Sequence, residues 1–296
     1  MSVPIERIIS GAPSDEPDVA EPVATLADLG FCWRECGGIK VLICEPLENA
    51  GFANGFSTRI GGVSPFPKDS LNLAGFDDDT AENIHENRRR FLSIFEKDYK
   101  LTTAWQVHGD NVRLIENESD GARGDERADA LVSNLGNMLI GVKTADCVPI
   151  LLGDPDTKAF AAVHAGWRGT VQTIVKKAID KMMFAFAAKP ENLIAAIGPA
   201  AACENYEVGT NVIEAFMQKF REGEHYFRPT RKGHALVDLH RANKDQLIDS
   251  GAVEKNIYTA PFCTISRTDL FFSYRVEKQK YGKTGRLLSV IGRKAS

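Results

Sequence analysis

Apolar positions enter this chain mostly in short blocks. Val41, Leu42 and Ile43, then Phe52 and Phe56, sit between glycines within residues 31–56 and predict two strands joined by a turn. From Thr80 the spacing changes. Ile84, Arg88, Phe91, Leu92 and Phe95 recur at helical intervals behind a residue suited to cap them, which predicts an amphipathic helix over 80–95. Runs rich in β-branched residues at 101–115, 130–142 and 145–152 read as strands. A strand from Phe160 to Val163 is followed by a glycine-bearing turn, and then Val171, Ile174, Val175, Ala178, Ile179 and Met182 make one helical stripe. Ile194 to Ile197 reads as a buried strand, Val212, Ile213, Phe216 and Phe220 as a helix, and Leu236, Leu239 and Leu247 as another that ends near Gly251. Strands at 257–259 and 287–291 close the pattern.

Strands alternating with helices and no internal repeat predict an α/β (α+β) fold: a single domain, 26–296, with a mixed β-sheet core flanked by helices. Residues 1–25 are expected to be a disordered tail, because 1–22 carry four prolines and five acidic residues with almost no periodic apolar positions. Residues 58–75 are too rich in Gly, Pro, Ser and Asn for a regular element and read as a loop that presents Arg59.

Charge narrows the partners. Lys and Arg total 36 against 40 Asp and Glu, a net charge of −4 that offers no footprint for a phosphate backbone, so nucleic acid is not expected. The start carries Glu6 and a single apolar pair, Ile8-Ile9, unlike a secretory signal. The uncharged run from Leu131 to Val142 falls short of the roughly 20 residues that span a bilayer, so no membrane is expected either. Six cysteines, at 32, 36, 44, 147, 203 and 263, are scattered through a chain too large to need disulfides, which suits a reducing cytoplasm. Cys32 and Cys36 lack the second pair that a structural zinc site requires and read as ordinary thiols.

Reactive side chains gather in three segments next to glycines or strand ends: Trp105-Gln106-Val107-His108-Gly109, Ala145-Asp146-Cys147-Val148-Pro149 and His164-Ala165-Gly166-Trp167-Arg168-Gly169. Neighbouring strands could bring His108, Cys147 and His164 together, and two imidazoles with a thiolate suit zinc, leaving a fourth position open for chemistry. Their spacing matches no short motif, so two other readings stay open. Either the histidines bond loop carbonyls around a small buried cysteine, or Cys147 is a nucleophile with His164 as base and Asp146 or Asp129 as orienter. The turn from Gly166 to Thr170 leads into a helix whose N-terminus could seat an anion beside Arg168, with Thr170 as a candidate cap and Trp167 free to stack on a base or to pack. Arg59 is a second anion candidate.

Taken together, Phe56-Ser57-Thr58-Arg59-Ile60-Gly61-Gly62-Val63-Ser64, Gln106-Val107-His108, Thr144-Ala145-Asp146-Cys147-Val148-Pro149 and His164-Ala165-Gly166-Trp167-Arg168-Gly169 resemble the laccase-domain family, once described as multicopper polyphenol oxidases. Ile197-Gly198-Pro199, Tyr206-Glu207-Val208, Val237-Asp238-Leu239, Phe271-Phe272-Ser273-Tyr274-Arg275 and Thr284-Gly285-Arg286 follow in the family's order, so the resemblance runs from about Phe52 to Ile291. It implies zinc on His108, Cys147 and His164, with copper(II) as second choice, and a purine nucleoside phosphorylase with adenosine deaminase and methylthioadenosine phosphorylase side activities. The partners so implied are purine nucleosides and phosphate; the sequence specifies no oligomeric state. Arg59, Arg168 and Arg275 are the expected substrate and phosphate contacts, with Asp146, Cys147 and Arg59 as catalytic residues and Asp146 as proton shuttle. The alternative is a zinc or cysteine hydrolase, an amidase that edits peptidoglycan precursors. A non-enzymatic zinc protein would need a fourth protein ligand instead of an open position.

Overall fold

A computed structural model describes residues 24–66, 68–74, 79–121 and 126–294. The expected tail lies outside the described residues except for 24 and 25.

Residues 31–57 make three strands rather than two: β1 (Phe31–Cys36), β2 (Ile39–Cys44) and β3 (Phe52–Ser57). Gly37 and Gly38, with φ of 58° and 82°, close the first hairpin in the conformation that only glycine takes without strain. Pro46 starts a short helix, α1 (Glu45–Asn49), before β3. Part of the expected loop at 58–75 is a strand, β4 (Ile60–Ser64). The helix expected at 80–95 is α2 (Ala81–Leu92); the Thr80 hydroxyl accepts from the Asn83 N–H at 3.3 Å, and Phe95 packs just beyond its end.

The run at 101–115 divides into β5 (Lys100–Thr103) and β6 (Val112–Ile115), followed by a single turn of helix, α3 (Glu118–Gly121), and the run at 130–142 into β7 (Ala130–Ser133) and β8 (Met138–Thr144). β9 (Val148–Gly153) and β10 (Phe160–Ala165) follow, then α4 (Trp167–Val171) and α5 (Ile174–Phe186). The predicted stripe is thus broken where Thr173 adopts φ 58°. After β11 (Ile194–Ile197) come β12 (Glu207–Gly209), α6 (Thr210–Lys219), β13 (Phe227–Pro229), β14 (His234–Val237), α7 (Leu239–Asp249), β15 (Ile257–Thr259), α8 (Tyr274–Tyr281) and β16 (Leu287–Arg293). Leu236 belongs to β14, not to the helix its spacing suggested, because Asp238 caps α7 by accepting from the Arg241 N–H.

The α/β class holds, but the expected single sheet is two six-stranded mixed sheets, ordered β1-β2-β3-β16-β8-β5 and β15-β11-β9-β10-β7-β6, with a small sheet β12-β14-β13 beside them. The two large sheets face each other across Phe52, Phe56, Ile140, Leu151, Phe160 and Ile291. On its outer face the second sheet packs Ile150, Leu152 and Val163 against α5, α6 and α7. The first packs Val41, Ile43 and Val290 against Phe91 and Phe95. Both faces of both sheets are therefore covered, which is why the central strands read as continuous apolar runs rather than alternating ones. No helix among the described residues is long and apolar enough to cross a membrane.

The layering also sets where chemistry can sit. The chain passes from the first sheet to the second twice, through 104–111 between β5 and β6 and through 145–147 between β8 and β9. Each crossing carries one of the reactive segments.

Candidate active site

His108 stands on the first crossing, Cys147 on the second and His164 near the end of β10. Their ligand atoms all lie within 4.8 Å of one another, and the two imidazoles meet edge to face at 4.9 Å. Among the described residues this is the one group of His, Cys and carboxylate side chains spaced to hold a metal ion. Gly166 permits the approach: a Cβ there would stand 3.0 Å from Cys147 Sγ and 3.3 Å from His108 Cδ2.

Asp129, fully buried just before β7, organises the cluster. Its carboxylate accepts from the backbone N–H of Val107, His108 and Gly109 at 3.2, 2.9 and 2.7 Å and from His164 Nδ1 at 2.8 Å. The first three bonds hold His108 at φ 58°, a left-handed conformation that is costly outside glycine. The fourth fixes the His164 ring so that Nε2 is left for the cluster, the usual arrangement behind a metal-binding imidazole. Burial disfavours the Asp129 carboxylate, but His164 and the loop amides outweigh it and hold its pKa below the usual value. For Cys147 burial likewise opposes the charged form, and His164 and His108 overcome it, bringing the thiol down to about 6. The same pairing, with Asp129 behind it, lifts His164 to about 9 against its own burial.

Asp129→Asn keeps the shape but sets an amide N–H₂ against donors. We expect metal affinity about 10- to 100-fold weaker, read by competition with a chelator. Unchanged affinity would mean that Asp129 only ties down the loop.

The cluster opens into a cavity of about 900 Å³. Its aromatic lining is Trp105, Trp167, Tyr206 and Tyr274, and its cations are Arg88, Lys143, Arg168, Arg275 and Arg286. Arg168 lies over the Trp167 ring at 4.3 Å and Arg275 over Tyr206 at 5.1 Å. Burial first, then Arg88 and Arg286, push Lys143 down to about 8.

Asp146, next to Cys147, is buried and its backbone is left-handed at φ 83°. Its carboxylate accepts from Thr264 Oγ1 at 2.7 Å, Ser273 Oγ at 3.0 Å and the Arg275 N–H at 2.7 Å. Burial raises its pKa against these bonds. With three donors on two oxygens, Asp146 pins the start of α8, and Arg275 with it, to the Cys147 crossing, and it also lines the cavity into which the cluster opens.

Arg59 is not brought to the cavity. It is buried, pairs with Glu277 at 2.8 Å, donates to the Thr268 carbonyl at 2.6 Å and lies over the Phe272 ring at 4.6 Å. Its guanidinium is engaged within the fold and does not meet the other site residues. Thr170 is not a cap either. Gly166 takes that position, α4 is five residues long, and the buried Thr170 hydroxyl accepts from Asn243 Nδ2 at 3.0 Å. So short a helix adds little dipole for an anion.

Sequence reasoning gave no task to Arg88 or Lys143. Arg88 left a signal, a charge within an apolar helical stripe; Lys143 left none.

Residues 53–294 match the sequence family described as multi-copper polyphenol oxidoreductase laccase. The purine nucleoside phosphorylase YfiH of Shigella flexneri is 36% identical over 252 residues, covering 85% of this chain and 98% of that protein. A purine nucleoside phosphorylase of Staphylococcus epidermidis is 34% identical over 248 residues, covering 81% and 91%. Among solved structures, YlmD from Geobacillus stearothermophilus matches with a TM-score of 0.81 at 30% identity, covering 90% of this chain and 99% of that one.

Proposed function

The chain belongs to the multi-copper polyphenol oxidoreductase laccase family, and we propose that within it this protein is a zinc-dependent purine nucleoside phosphorylase. Adenosine, inosine and methylthioadenosine are its proposed substrates, and adenosine deamination a side activity. The observation that carries the reading is a compact His₂Cys donor set at the floor of a cavity lined by aromatic rings and cations. The relatives' names point the same way.

The donor set suits zinc: two imidazoles and a thiolate whose pKa already lies near 6, with Asp129 behind one imidazole, and metal binding would displace the proton that His164 holds beside that thiolate. Oxidation at a multicopper centre would call for many more histidines than the six in the chain. His108, Cys147 and His164 would hold the ion, which when bound supplies Lewis acidity toward a reacting polar atom of the substrate.

In phosphorolysis a phosphate oxygen bonds to the ribose C1′, the bond from C1′ to the purine nitrogen breaks, and that nitrogen takes up a proton. The aromatic rings at the cavity wall offer faces for the purine. Arg168 and Arg275 are the proposed phosphate contacts; Asp146 fixes the backbone of Arg275 beside Cys147. The six unpaired cysteines support a cytoplasmic setting.

We expect Arg168→Ala and Arg275→Ala each to raise the KM for phosphate about tenfold with a smaller change for the nucleoside. An unchanged phosphate KM in both would remove them from the anion site.

One observation favours a second reading. Asp129, His164 and Cys147 stand in the order orienter, base and thiolate, which suits a cysteine hydrolase acting on amides such as those of peptidoglycan precursors. Metal content at full activity separates the two.

A further inference from the structure

His108, Cys147 and His164 form a triangle, and two of its sides have ties already described. Asp129 holds His108 to His164, since its carboxylate takes the backbone N–H of the first and the ring of the second. The ladder between β9 and β10 holds His164 to Cys147: His164 pairs with Pro149, and Ala165 with Val148, the residue after Cys147. The third side, from Cys147 to His108, runs between the two crossings, and among the described residues no strand pairing joins them. β5 accompanies β8 only as far as Thr103 opposite Gly141. The chain then turns away, and Trp105 pairs with the segment before β7, donating to the Glu126 carbonyl at 3.1 Å and accepting from the Ala128 N–H at 3.1 Å.

β8 meanwhile continues to Thr144, so Lys143 presents its main-chain groups on a flank that β5 has left. The side chain of Gln106 takes both of them. Its Oε1 accepts from the Lys143 N–H at 2.7 Å, and its Nε2 donates to the Lys143 carbonyl at 2.6 Å. A side-chain amide carries a donor and an acceptor on one edge, as a strand does, so the two bonds fix separation and orientation together. Lys143 Nζ adds a bond to the Ala104 carbonyl, at 3.2 Å, where the crossing begins. Gln106 lies two residues before His108 and Lys143 four before Cys147, so this bridge stands close to both donors. It is half-buried at the cavity wall. Water can therefore meet the Lys143 groups once the amide is gone; the fold loses little, but the triangle loses its third side.

We propose that Gln106 is a positioning residue for the metal donors: its side-chain amide, bridged to the main chain of Lys143, fixes His108 against Cys147. The effect on zinc rests on the metal reading of the site; the clamp between the crossings does not.

Chelator competition on the folded protein tests it, comparing wild type with two variants. Gln106→Met keeps the length and removes both bonds, and Gln106→Asn keeps the amide but is one methylene short of bridging both groups. Zinc affinity should fall about tenfold or more in Gln106→Met and about threefold or more in Gln106→Asn, which carries the test if the first fails to fold. Melting curves separate positioning from support of the fold. A residue that only supports the fold lowers stripped and zinc-loaded protein equally, whereas a positioning residue lowers the loaded form further. Zinc bound within about twofold of wild type by the folded variants overturns the clamp alone and leaves the zinc reading standing. Hydrogen exchange of the stripped protein supplies the arm that needs no metal. There Gln106→Met should speed exchange about tenfold at the amides of residues 107–109, which Asp129 holds. If wild type takes up no zinc, the zinc reading falls and this exchange decides: faster exchange at 107–109 supports the clamp, and a change confined to Lys143 overturns it.

Discussion

Cys147→Ala should lose the bound metal and lower phosphorolysis about a thousandfold or more, because it removes the only anionic donor from a three-residue ligand set. Two imidazoles remain, and one of them rests on a strained backbone at His108. The metal stabilises the folded state only as far as it binds it, so the variant should melt with metal-stripped wild type and below loaded wild type. Metal analysis, a melting curve and turnover together check this. A variant that retains stoichiometric metal and full activity would contradict it.

Loss of activity alone would also follow if Cys147 were a nucleophile, and chelation separates the cases. A metal enzyme loses activity when stripped, whereas a cysteine hydrolase keeps it. Stripping should also bare a thiolate. With a thiol pKa of about 6, metal-free Cys147 should be alkylated readily at neutral pH and progressively more slowly as pH falls through that value.

Arg59→Ala should destabilise the fold by about 3–5 kcal/mol, since it leaves the Glu277 carboxylate buried without its charge partner. The side chains are only 10% and 4% exposed, so solvent offers little compensation. The phosphate KM should stay within about twofold, because Arg59 does not line the metal-site cavity. The paired change Arg59→Met with Glu277→Leu, which removes both charges, should recover most of the loss. Denaturant melts and phosphate titration read the two effects separately. Normal stability with a raised phosphate KM would return Arg59 to the anion site.

Arg59 also shows where sequence reasoning stops. A guanidinium in a Gly-rich stretch reads as a presented charge, and only folding reveals that Glu277 on α8 and the carbonyl of Thr268 wait for it. α2 was legible because its start is local chemistry: a threonine hydroxyl, a free N–H and an apolar stripe. The strand runs were legible for the opposite reason, as burial on both faces made them uniformly apolar, but that uniformity hides which sheet each strand joins. Hence one sheet was expected where two face each other. Leu236 fell into a helix because its spacing to Leu239 fits a helical turn; the Asp238 cap between them was the signal to stop.

The grouping of His108, Cys147 and His164 as candidate ligands was legible through the joint order of their motifs, not through spacing, since two crossings between sheets bring them together. Asp129 entered only as one possible orienter. Its role depends on three consecutive loop amides turning toward one carboxylate, which no residue pattern announces. Lys143 was silent for a similar reason: its lowered pKa comes first from burial and then from Arg88 and Arg286, none of which the local sequence announces.

The central claim meets its most direct test when fully zinc-loaded protein is incubated with inosine, with and without phosphate, and the free base and sugar phosphate are measured by chromatography. The account predicts hypoxanthine and ribose 1-phosphate in equal amounts, dependent on phosphate. No turnover, or base release indifferent to phosphate, would contradict it.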